Sequence, residues 1–214
     1  MTNDETCAII IFARYPNKGK VKTRLAKEIG EESALEFYKS CAENTFAECK
    51  KLKSEKTLLY LFYSDVKDKT LVAKWAGFDF VFIPQTGTTL GEKMKNAFEE
   101  VFSNGAKKAV IIGTDVPDIN SEIIKDSCDI LNCADSVIGP SADGGYYLLG
   151  MKKTYNFLFD DIKWSTHSVF AETCNQIVKN KLTFFVLPKL IDIDTKDDFT
   201  IWAAKKIMFI YRET

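Results

Sequence analysis

Cys7-Ala-Ile-Ile-Ile-Phe-Ala13 is an unbroken apolar run, and Arg14-Tyr-Pro-Asn-Lys-Gly-Lys-Val-Lys-Thr-Arg24 follows it directly. A short apolar run rich in β-branched residues is typical of a strand that is buried on both faces, as in a parallel sheet covered by helices. Pro16 and Gly19 argue against regular structure in the segment that follows. The apolar run and the segment after it therefore predict the first strand and the first loop of an α/β fold.

Apolar runs and amphipathic segments alternate along the rest of the chain. The predicted strands cover about 58–63, 78–83, 109–112, 137–138, 147–149 and 183–187, and the predicted helices about 31–51, 67–75, 90–102 and 121–131, with two more beginning after 165 and near 196. This alternation predicts a doubly wound, mostly parallel sheet with right-handed crossovers. No linker, repeat or low-complexity stretch divides the chain, so we predict one domain over residues 1–214.

Composition narrows the class of protein. Hydrophobic residues make up 46% of the 214 residues, which is ample for a core and argues against disorder. Lys plus Arg total 29 and Asp plus Glu total 30, so the global basic excess usual for nucleic-acid and membrane binders is missing. No apolar segment approaches membrane-spanning length. The composition therefore favours a protein that acts on small molecules over one that binds nucleic acid or membranes.

The cellular compartment is indicated by the cysteines and by the start of the chain. The six cysteines include no CxxC pair, and several lie in apolar stretches, which predicts reduced core thiols. The first residues are acidic and lack the basic and apolar regions of a signal peptide. We therefore expect a cytoplasmic protein.

The first loop concentrates positive charge. No acidic residue occurs between Glu5 and Glu28, whereas the same stretch contains Arg14, Lys18, Lys20, Lys22, Arg24 and Lys27. The loop follows strand one, where open α/β sheets bind ligands, and its cations and the backbone amides beside Gly19 could hold a di- or triphosphate. Neither a Walker A sequence nor GxGxxG is present. The alternative is a basic loop that merely faces water.

Thr114-Asp-Val-Pro117 ends the fourth strand. In a doubly wound sheet, strands one and four flank the point where the strand order reverses, so Asp115 would lie beside the basic loop. A carboxylate that faces phosphates needs a bridging cation, and Mg²⁺ is commonly bound by one or two carboxylates together with phosphate oxygens. The alternative is an Asp that stabilises a turn before Pro117.

Two further acidic stretches allow two interpretations each. In Asp192-Ile-Asp-Thr-Lys-Asp-Asp198, Asp194 could bind a metal ion, or Asp194 or Thr195 could cap the last helix while Asp197 and Asp198 complement its dipole. Asp143-Gly-Gly145 lies between apolar runs and indicates a hairpin turn, although its glycines would also allow a substrate to approach the backbone closely. His167 is the only histidine, and neither a GxSxG elbow nor a His/Cys zinc pattern accompanies it.

Several short motifs occur in a characteristic order between about residues 7 and 200. They are Phe12-Ala-Arg-Tyr-Pro16, Lys22-Thr-Arg-Leu25, Leu90-Gly-Glu-Lys-Met94, Gly113-Thr-Asp-Val-Pro-Asp118, Gly139-Pro-Ser-Ala-Asp-Gly-Gly-Tyr-Tyr147, Trp164-Ser-Thr166 and Asp192-Ile-Asp-Thr195. Together they resemble a bacterial family of glycosyltransferase-A-like proteins in the nucleotide-diphospho-sugar transferase superfamily. More distantly, the chain is similar to molybdenum-cofactor and phospholactate guanylyltransferases. Their glycine-rich opening is replaced here by Arg14-Tyr15-Pro16, so their base preference and acceptors do not carry over.

The resemblance implies a Rossmann-like GT-A fold with a mixed sheet, and it implies roles for particular residues. The implied nucleotide-binding residues are Ala13, Arg14, Lys22, Arg24, Gln85, Gly87 and Thr114. The implied metal ligands for Mg²⁺ or Mn²⁺ are Asp115 and Asp194, and the implied acceptor-binding residues are Gly144, Gly145 and Tyr146. The candidate catalytic residues are Lys22 and Arg24, with Asp143 as a possible base.

Three functions remain open from the sequence. The first is glycosyl transfer from a nucleotide sugar to a small-molecule acceptor, and the second is nucleotidyl transfer from an NTP to a phosphorylated acceptor with release of pyrophosphate. The third is a non-catalytic protein that binds a nucleotide or a partner. The last helix, from near Lys196, is unusually apolar for a chain end. Packing on the core is favoured for it, with homodimerisation as the alternative.

Overall fold

A central sheet organises the chain in the computed structural model, which describes residues 6–160 and 162–210, with only the backbone for 205–210. Its strands are Cys7–Arg14 (β1), Thr57–Ser64 (β2), Val81–Pro84 (β3), Lys108–Ile112 (β4), Ser136–Pro140 (β5), Tyr146–Met151 (β6) and Phe184–Val186 (β7). Their order is β3-β2-β1-β4-β6-β5-β7. Within this sheet only β6 runs antiparallel, pairing with β4 and β5. The predicted mixed, mostly parallel sheet is confirmed.

Helices cover both faces of the sheet. They are Thr23–Ile29 (α1), Glu31–Lys50 (α2), Lys69–Ala76 (α3), Leu90–Ser103 (α4), Ser121–Ile130 (α5), Val169–Lys179 (α6) and Lys196–Ile210 (α7), with a 3₁₀ turn at Asn156–Leu158. Residues of α2, α3 and α5 pack on one face, and residues of α4 and α6 pack on the other. The predicted α/β architecture with flanking helices is therefore present.

Strand β1 lies in the middle of this sandwich. Ile9 and Ile11 belong to the core on the α2 side, whereas Ala8 and Ile10 belong to the core on the α4 side, and all four are completely buried. Successive side chains of a strand point to opposite faces, so a strand covered on both faces needs apolar residues at every position. The unbroken apolar run of the sequence reflects this requirement.

The third strand begins later than the sequence indicates. We expected it to start at Phe78, but the strand spans Val81–Pro84 and Phe78 is 82% exposed. Gly77 ends α3 with a positive φ of 88°, and the chain turns before it enters the sheet. An apolar run shows which residues suit a strand, but the geometry of the preceding helix end determines where pairing starts.

The last helix packs on a small third core. The rings of Phe199 and Trp202 lie 5.5 and 6.2 Å from the ring of Phe37 on α2 and pack near the buried Leu25. The prediction that this helix packs on the core is confirmed for these residues. The side chains of the apolar residues that follow, Ile207, Phe209, Ile210 and Tyr211, lie outside the described part of the structure. Homodimerisation through this helix therefore stays a prediction. Among the described helices, none has the length and apolar character needed to cross a membrane.

Candidate active site

A cavity of about 760 Å³ opens at the edge of the sheet where β1, β2, β3 and β4 end and β6 begins. Many of the predicted site residues line it, namely Ala13, Arg14, Lys22, Arg24, Gln85, Thr114, Asp115, Tyr146 and Asp194. The strand order places β1 beside β4, so the loops that follow these two strands face each other across the opening. The predicted position of the site, at the carboxyl ends of strands one and four, is therefore where the cavity lies.

Lys22 connects the two acidic positions. Its Nζ lies 2.6 Å from Oδ1 of Asp115 and 2.9 Å from Oδ1 of Asp194. The Lys22 side chain is only 2% exposed, whereas the two aspartates are about half exposed, at 51% and 48%. Burial alone would lower the pKa of Lys22, but the charges and hydrogen bonds of the two carboxylates outweigh it, and the pKa is raised. The ammonium is therefore firmly charged and held inside the cavity.

The backbone of Lys22 is unusual. Its φ and ψ of 47° and 43° fall in the left-handed region, immediately before α1 begins at Thr23. A non-glycine residue in this region costs roughly 1–2 kcal/mol, so the surrounding structure must hold it there. Val21 and Leu25, both buried, flank the lysine along the chain. Their burial anchors the turn that places the ammonium between the two aspartates.

The start of the last helix shows whether Asp194 acts as its cap. Thr195 and Asp198 cap the last helix: the Thr195 hydroxyl accepts from the Asp198 amide at 3.2 Å, and the Asp198 carboxylate accepts from the Thr195 amide at 2.8 Å. This reciprocal pattern satisfies two backbone donors at the helix start. The Asp194 carboxylate is therefore not the cap, and it bonds Lys22, 172 positions away in sequence.

The Asp194 segment is also tied directly to Asp115. The backbone amide of Ile193 donates to the backbone oxygen of Asp115 at 3.2 Å, and Ile193 is fully buried. This bond brings the loop after β4 and the segment before α7 together. The two carboxylates are therefore positioned by main-chain contact and core packing, and not only by their shared lysine.

Tyr38 lines the cavity, although its place in the sequence does not indicate a site residue. Its hydroxyl accepts from the Arg14 amide at 2.9 Å, donates to the Arg14 carbonyl at 2.8 Å and lies 3.3 Å from the Thr114 hydroxyl. Burial raises the pKa of Tyr38 to about 12, so the hydroxyl keeps its proton. This one side chain joins the loop after β1 to the loop after β4. A phenol on the apolar face of α2 was the available signal.

The end of β2 contributes a second ion pair to the cavity. Arg14 Nε lies 2.6 Å from Asp65 Oδ2, and Arg14, Ser64 and Asp65 all line the wall. The hydrogen bond from Arg14 lowers the pKa of Asp65. Ser64 and Asp65 were missed in the sequence, although they directly follow a predicted strand. The rule that ligands bind at the carboxyl ends of parallel strands could have found them.

Two of the implied nucleotide-binding residues, Gln85 and Gly87, occupy different positions relative to the cavity. Gln85 follows β3, lines the cavity and donates from its side-chain amide to the Phe62 carbonyl at 3.1 Å. Gly87 lies in the turn before α4 and is not among the lining residues. Gln85 is thus placed for contact with a ligand, whereas Gly87 shapes the entry to the helix.

The predicted acceptor residues form a hairpin turn, as Asp-Gly indicated. The Asp143 carboxylate accepts from the Ser141 hydroxyl and, at 2.9 Å, from the Gly145 amide, which closes the turn between β5 and β6. Tyr146 lines the cavity, whereas Asp143, Gly144 and Gly145 do not. The turn and the pocket wall are therefore adjacent, but only Tyr146 reaches the cavity. The proposed role of Asp143 as a base stays a prediction.

Asp192 is an ionisable group with an altered environment that the sequence did not reveal. Burial, followed by the charges of Asp143 and Asp194, raises the pKa of Asp192 from 3.8 to about 6. The folded protein is therefore more stable, relative to the unfolded chain, when the Asp192 carboxyl is protonated. The stability that this carboxyl contributes is fully present below pH 3.8 and is lost as the pH rises through about 6.

We expect Asp192→Asn, which mimics the protonated form, to match the parent protein at pH 4 and to exceed it in stability at pH 7.5 by up to ~2 kcal/mol. Urea unfolding at the two pH values, in EDTA to exclude bound metal, measures the difference. A gain in stability that is the same at both pH values would contradict the assignment.

A divalent metal ion fits the arrangement at Asp115 and Asp194. Both carboxylates contact a single cationic centre, the Lys22 ammonium, so their oxygens already converge on one point. Within the described part of the chain, no group of three or more acidic, histidine or cysteine side chains could hold a metal. Mg²⁺ is typically held by one or two carboxylates, with substrate phosphates and water completing its shell. The donor set therefore suits a metal that binds together with a phosphate ligand.

Comparison with known proteins relates most of the chain to one family and one fold. A family model described as "Uncharacterized protein conserved in bacteria (DUF2064)" matches residues 45–166, more than half of the chain. A crystal structure from Desulfovibrio desulfuricans G20, described provisionally as a nucleotide-diphospho-sugar transferase, is 31% identical. The match covers 88% of this chain and 82% of that chain, with a TM-score of 0.83. No curated protein is similar enough in sequence to count as a relative.

Two more distant structures share the fold. CMP:2-keto-3-deoxy-manno-octonic acid synthetase, solved with CTP, has a TM-score of 0.56 at 10% identity, covering 98% of this chain and all of that one. Glucosyl-3-phosphoglycerate synthase from Mycobacterium tuberculosis has a TM-score of 0.53 at 11% identity, covering 88% and 71% of the two chains.

The predicted family resemblance and the predicted Rossmann-like fold are confirmed, and the expectation of a transferase is confirmed at the level of the superfamily. The chain belongs to the bacterial family DUF2064, within the nucleotide-diphospho-sugar transferase superfamily.

Proposed function

We propose that the protein is a divalent-metal-dependent transferase that uses a nucleotide-activated donor, with glycosyl transfer from a nucleotide sugar as the favoured reaction. One observation carries the proposal: Lys22, Asp115 and Asp194 meet inside the main cavity, at the carboxyl edge of the sheet. A cation with two half-exposed acids beside it is suited to the charge of a diphosphate and its metal ion.

The strand order supports an extended donor lying along the edge of the sheet. Gln85 follows β3, Asp65 follows β2, Arg14 ends β1, Asp115 follows β4 and Tyr146 begins β6. Neighbouring strands lie ~4.8 Å apart, so these five positions span roughly 20 Å. We place the nucleoside over β3 and β2, the phosphates between β1 and β4, and the acceptor beside β6.

Each residue has a chemical task in this arrangement. Lys22 and Arg24 bind the oxygens of the diphosphate leaving group and stabilise the negative charge that develops as its bond to the sugar breaks. Asp115 and Asp194 would hold the metal ion, which supplies further charge neutralisation. Tyr38 keeps the two loops in register, so that the donor is held in one orientation relative to the acceptor.

Nucleotidyl transfer is the second candidate. In this reaction Arg24, which lines the cavity and forms no ion pair with any described side chain, would bind the additional phosphate of an NTP instead of a diphosphate leaving group. Both kinds of nucleotide occur among the proteins that share the fold. The synthetase was solved with CTP, and glucosyl-3-phosphoglycerate synthase was solved with Mn²⁺ and uridine diphosphate. In the nucleotidyl reaction, a phosphorylated acceptor attacks an NTP and pyrophosphate leaves.

A ligand panel tests the proposal. The protein is mixed with MgCl₂ or MnCl₂, with each common NTP or nucleotide sugar, and with a set of hydroxyl-bearing and phosphorylated small molecules as acceptors. The melting temperature and the release of nucleoside diphosphate or pyrophosphate are measured. Stabilisation by nucleotide sugars with release of nucleoside diphosphate is the expected result. Stabilisation by NTPs with release of pyrophosphate would select nucleotidyl transfer, and tight binding without turnover would select the non-catalytic function. No binding of any nucleotide would refute the proposal.

A further inference from the structure

Lys22 occupies the position in which a metal ion would be held. Its ammonium is hydrogen-bonded to Oδ1 of Asp115 and to Oδ1 of Asp194 at the same time. A divalent ion bound to these two oxygens would lie within a few ångströms of the ammonium, and both cations would compete for the same lone pairs. Like charges at such a distance repel strongly. The ammonium and the metal ion therefore compete for Oδ1 of Asp115 and Oδ1 of Asp194.

The lysine cannot simply turn toward bulk water. Its side chain is 2% exposed, and its left-handed backbone conformation fixes the direction from which the side chain enters the cavity. A buried ammonium that loses its anionic partners is costly unless another anion replaces them. Among the described residues that line the cavity, the other acid is Asp65, which pairs with Arg14. The replacement partner must therefore come with the ligand.

We propose that Lys22 makes metal and nucleotide binding interdependent: the ammonium holds Asp115 and Asp194 until a diphosphate draws it away, and only then do the two carboxylates accept the metal ion. This inference rests on the proposed function, because it requires a phosphate ligand in the same cavity. The diphosphate would give Lys22 a new anionic partner, and Asp115 and Asp194 would then be available to hold the metal ion, which would supply charge neutralisation for the phosphate. Metal alone binds weakly, and the two ligands strengthen each other's binding.

The expected coupling is reciprocal. If a nucleoside diphosphate raises the affinity for Mn²⁺ by ~10-fold or more, then Mn²⁺ raises the affinity for the diphosphate by the same factor. Replacing Lys22 by Met removes the competing charge and keeps a chain of similar length. In that variant, Mn²⁺ alone binds more tightly than in the parent protein, whereas the diphosphate binds less tightly and the coupling falls.

The experiment measures Mn²⁺ binding by electron paramagnetic resonance for the parent protein, Lys22→Met and Lys20→Met. Each is titrated with MnCl₂ alone and with MnCl₂ in the presence of UDP, GDP, CDP or ADP, with a correction for Mn²⁺ bound by the nucleotide in solution. Lys20 is exposed on the same loop and does not line the cavity, so its variant controls for the loss of one positive charge. Asp115 and Asp194 are about half exposed, so both can be solvated in the variant.

The outcomes separate the inference from the function. Tighter binding of Mn²⁺ alone by Lys22→Met, but not by Lys20→Met, supports the inference. Equal binding of Mn²⁺ alone by the parent and Lys22→Met would overturn it, even if nucleotides bind well. If no nucleoside diphosphate binds the parent protein, the proposed function fails and the coupling fails with it. Should circular dichroism show that Lys22→Met is unfolded, Lys22→Gln, which keeps one hydrogen-bond donor, replaces it in every arm.

Discussion

Asp115→Asn is expected to lower turnover at least ~100-fold with the donor that the ligand panel identifies, while the protein remains folded. The amide keeps the size of the side chain but removes the negative charge that faces Lys22 and the proposed metal ion. Asp115 is 51% exposed and Asp194 keeps its contact with the buried Lys22, so we expect the lost ion pair to cost only ~1 kcal/mol of stability. Initial rates and Mn²⁺ affinity in the presence of nucleotide are the two measurements.

Asp118→Asn is the matched control for that variant. Asp118 lies three positions further along the same loop and does not line the cavity, and one of its oxygens accepts from the Trp202 indole at 2.9 Å. The amide can preserve that bond through its own oxygen, so turnover should remain within a few-fold of the parent. An equal loss of turnover in the two variants, or none in Asp115→Asn, would show that Asp115 has no special role.

Gly144→Ala is expected to be the most destabilising small substitution near the site. Gly144 has a φ of +92°, and an added Cβ would overlap the backbone of His167, which is main chain and cannot rotate away. The Phe170 amide also donates to the Gly144 carbonyl at 3.0 Å, so the two segments are held together. We expect a loss of roughly 3–5 kcal/mol, because both strain and a steric clash must be relieved.

Gly105→Ala separates these two effects. Gly105 has a similar φ of +96°, but nothing lies within 4 Å of an added Cβ, so only the backbone strain remains. That variant should lose about 1 kcal/mol. Thermal unfolding measures both, with ~2–4 °C expected for each kcal/mol in a chain of this size. Equal melting temperatures for the two variants would mean that the His167 backbone moves easily, contrary to the packing described here.

The position of the cavity and much of its lining could be predicted from local sequence, because two general rules indicated them. An apolar run followed by a basic loop indicated a strand and a site for anions, and the reversal of strand order placed Asp115 beside that loop. Both rules depend on short segments and on a fold class that the alternation of strands and helices reveals. The structure agrees with this expected proximity, because Lys22 of the loop contacts Asp115.

Other parts of the site required the folded chain. Tyr38 showed the periodicity of a core residue, and nothing in its neighbourhood indicated that its hydroxyl would join two loops. The hairpin turn at Asp143 is a second example. The sequence correctly indicated the turn, but only the packing shows that Tyr146, and not the turn itself, lines the cavity. Side-chain direction depends on neighbours that are distant in sequence.

The amino-acid sequence by itself determined the α/β class, the buried first strand and the identity of the cationic loop, because these follow from apolar periodicity and local charge. The tertiary structure alone decided that Asp194 joins Lys22 while Thr195 and Asp198 cap the helix. The local sequence is equally compatible with a helix cap formed by Asp194 and with one formed by Thr195 and Asp198. The main-chain bond between Ile193 and Asp115 and the burial of Ile193 determine the outcome, because these contacts exist only once segments that are far apart in sequence are packed together.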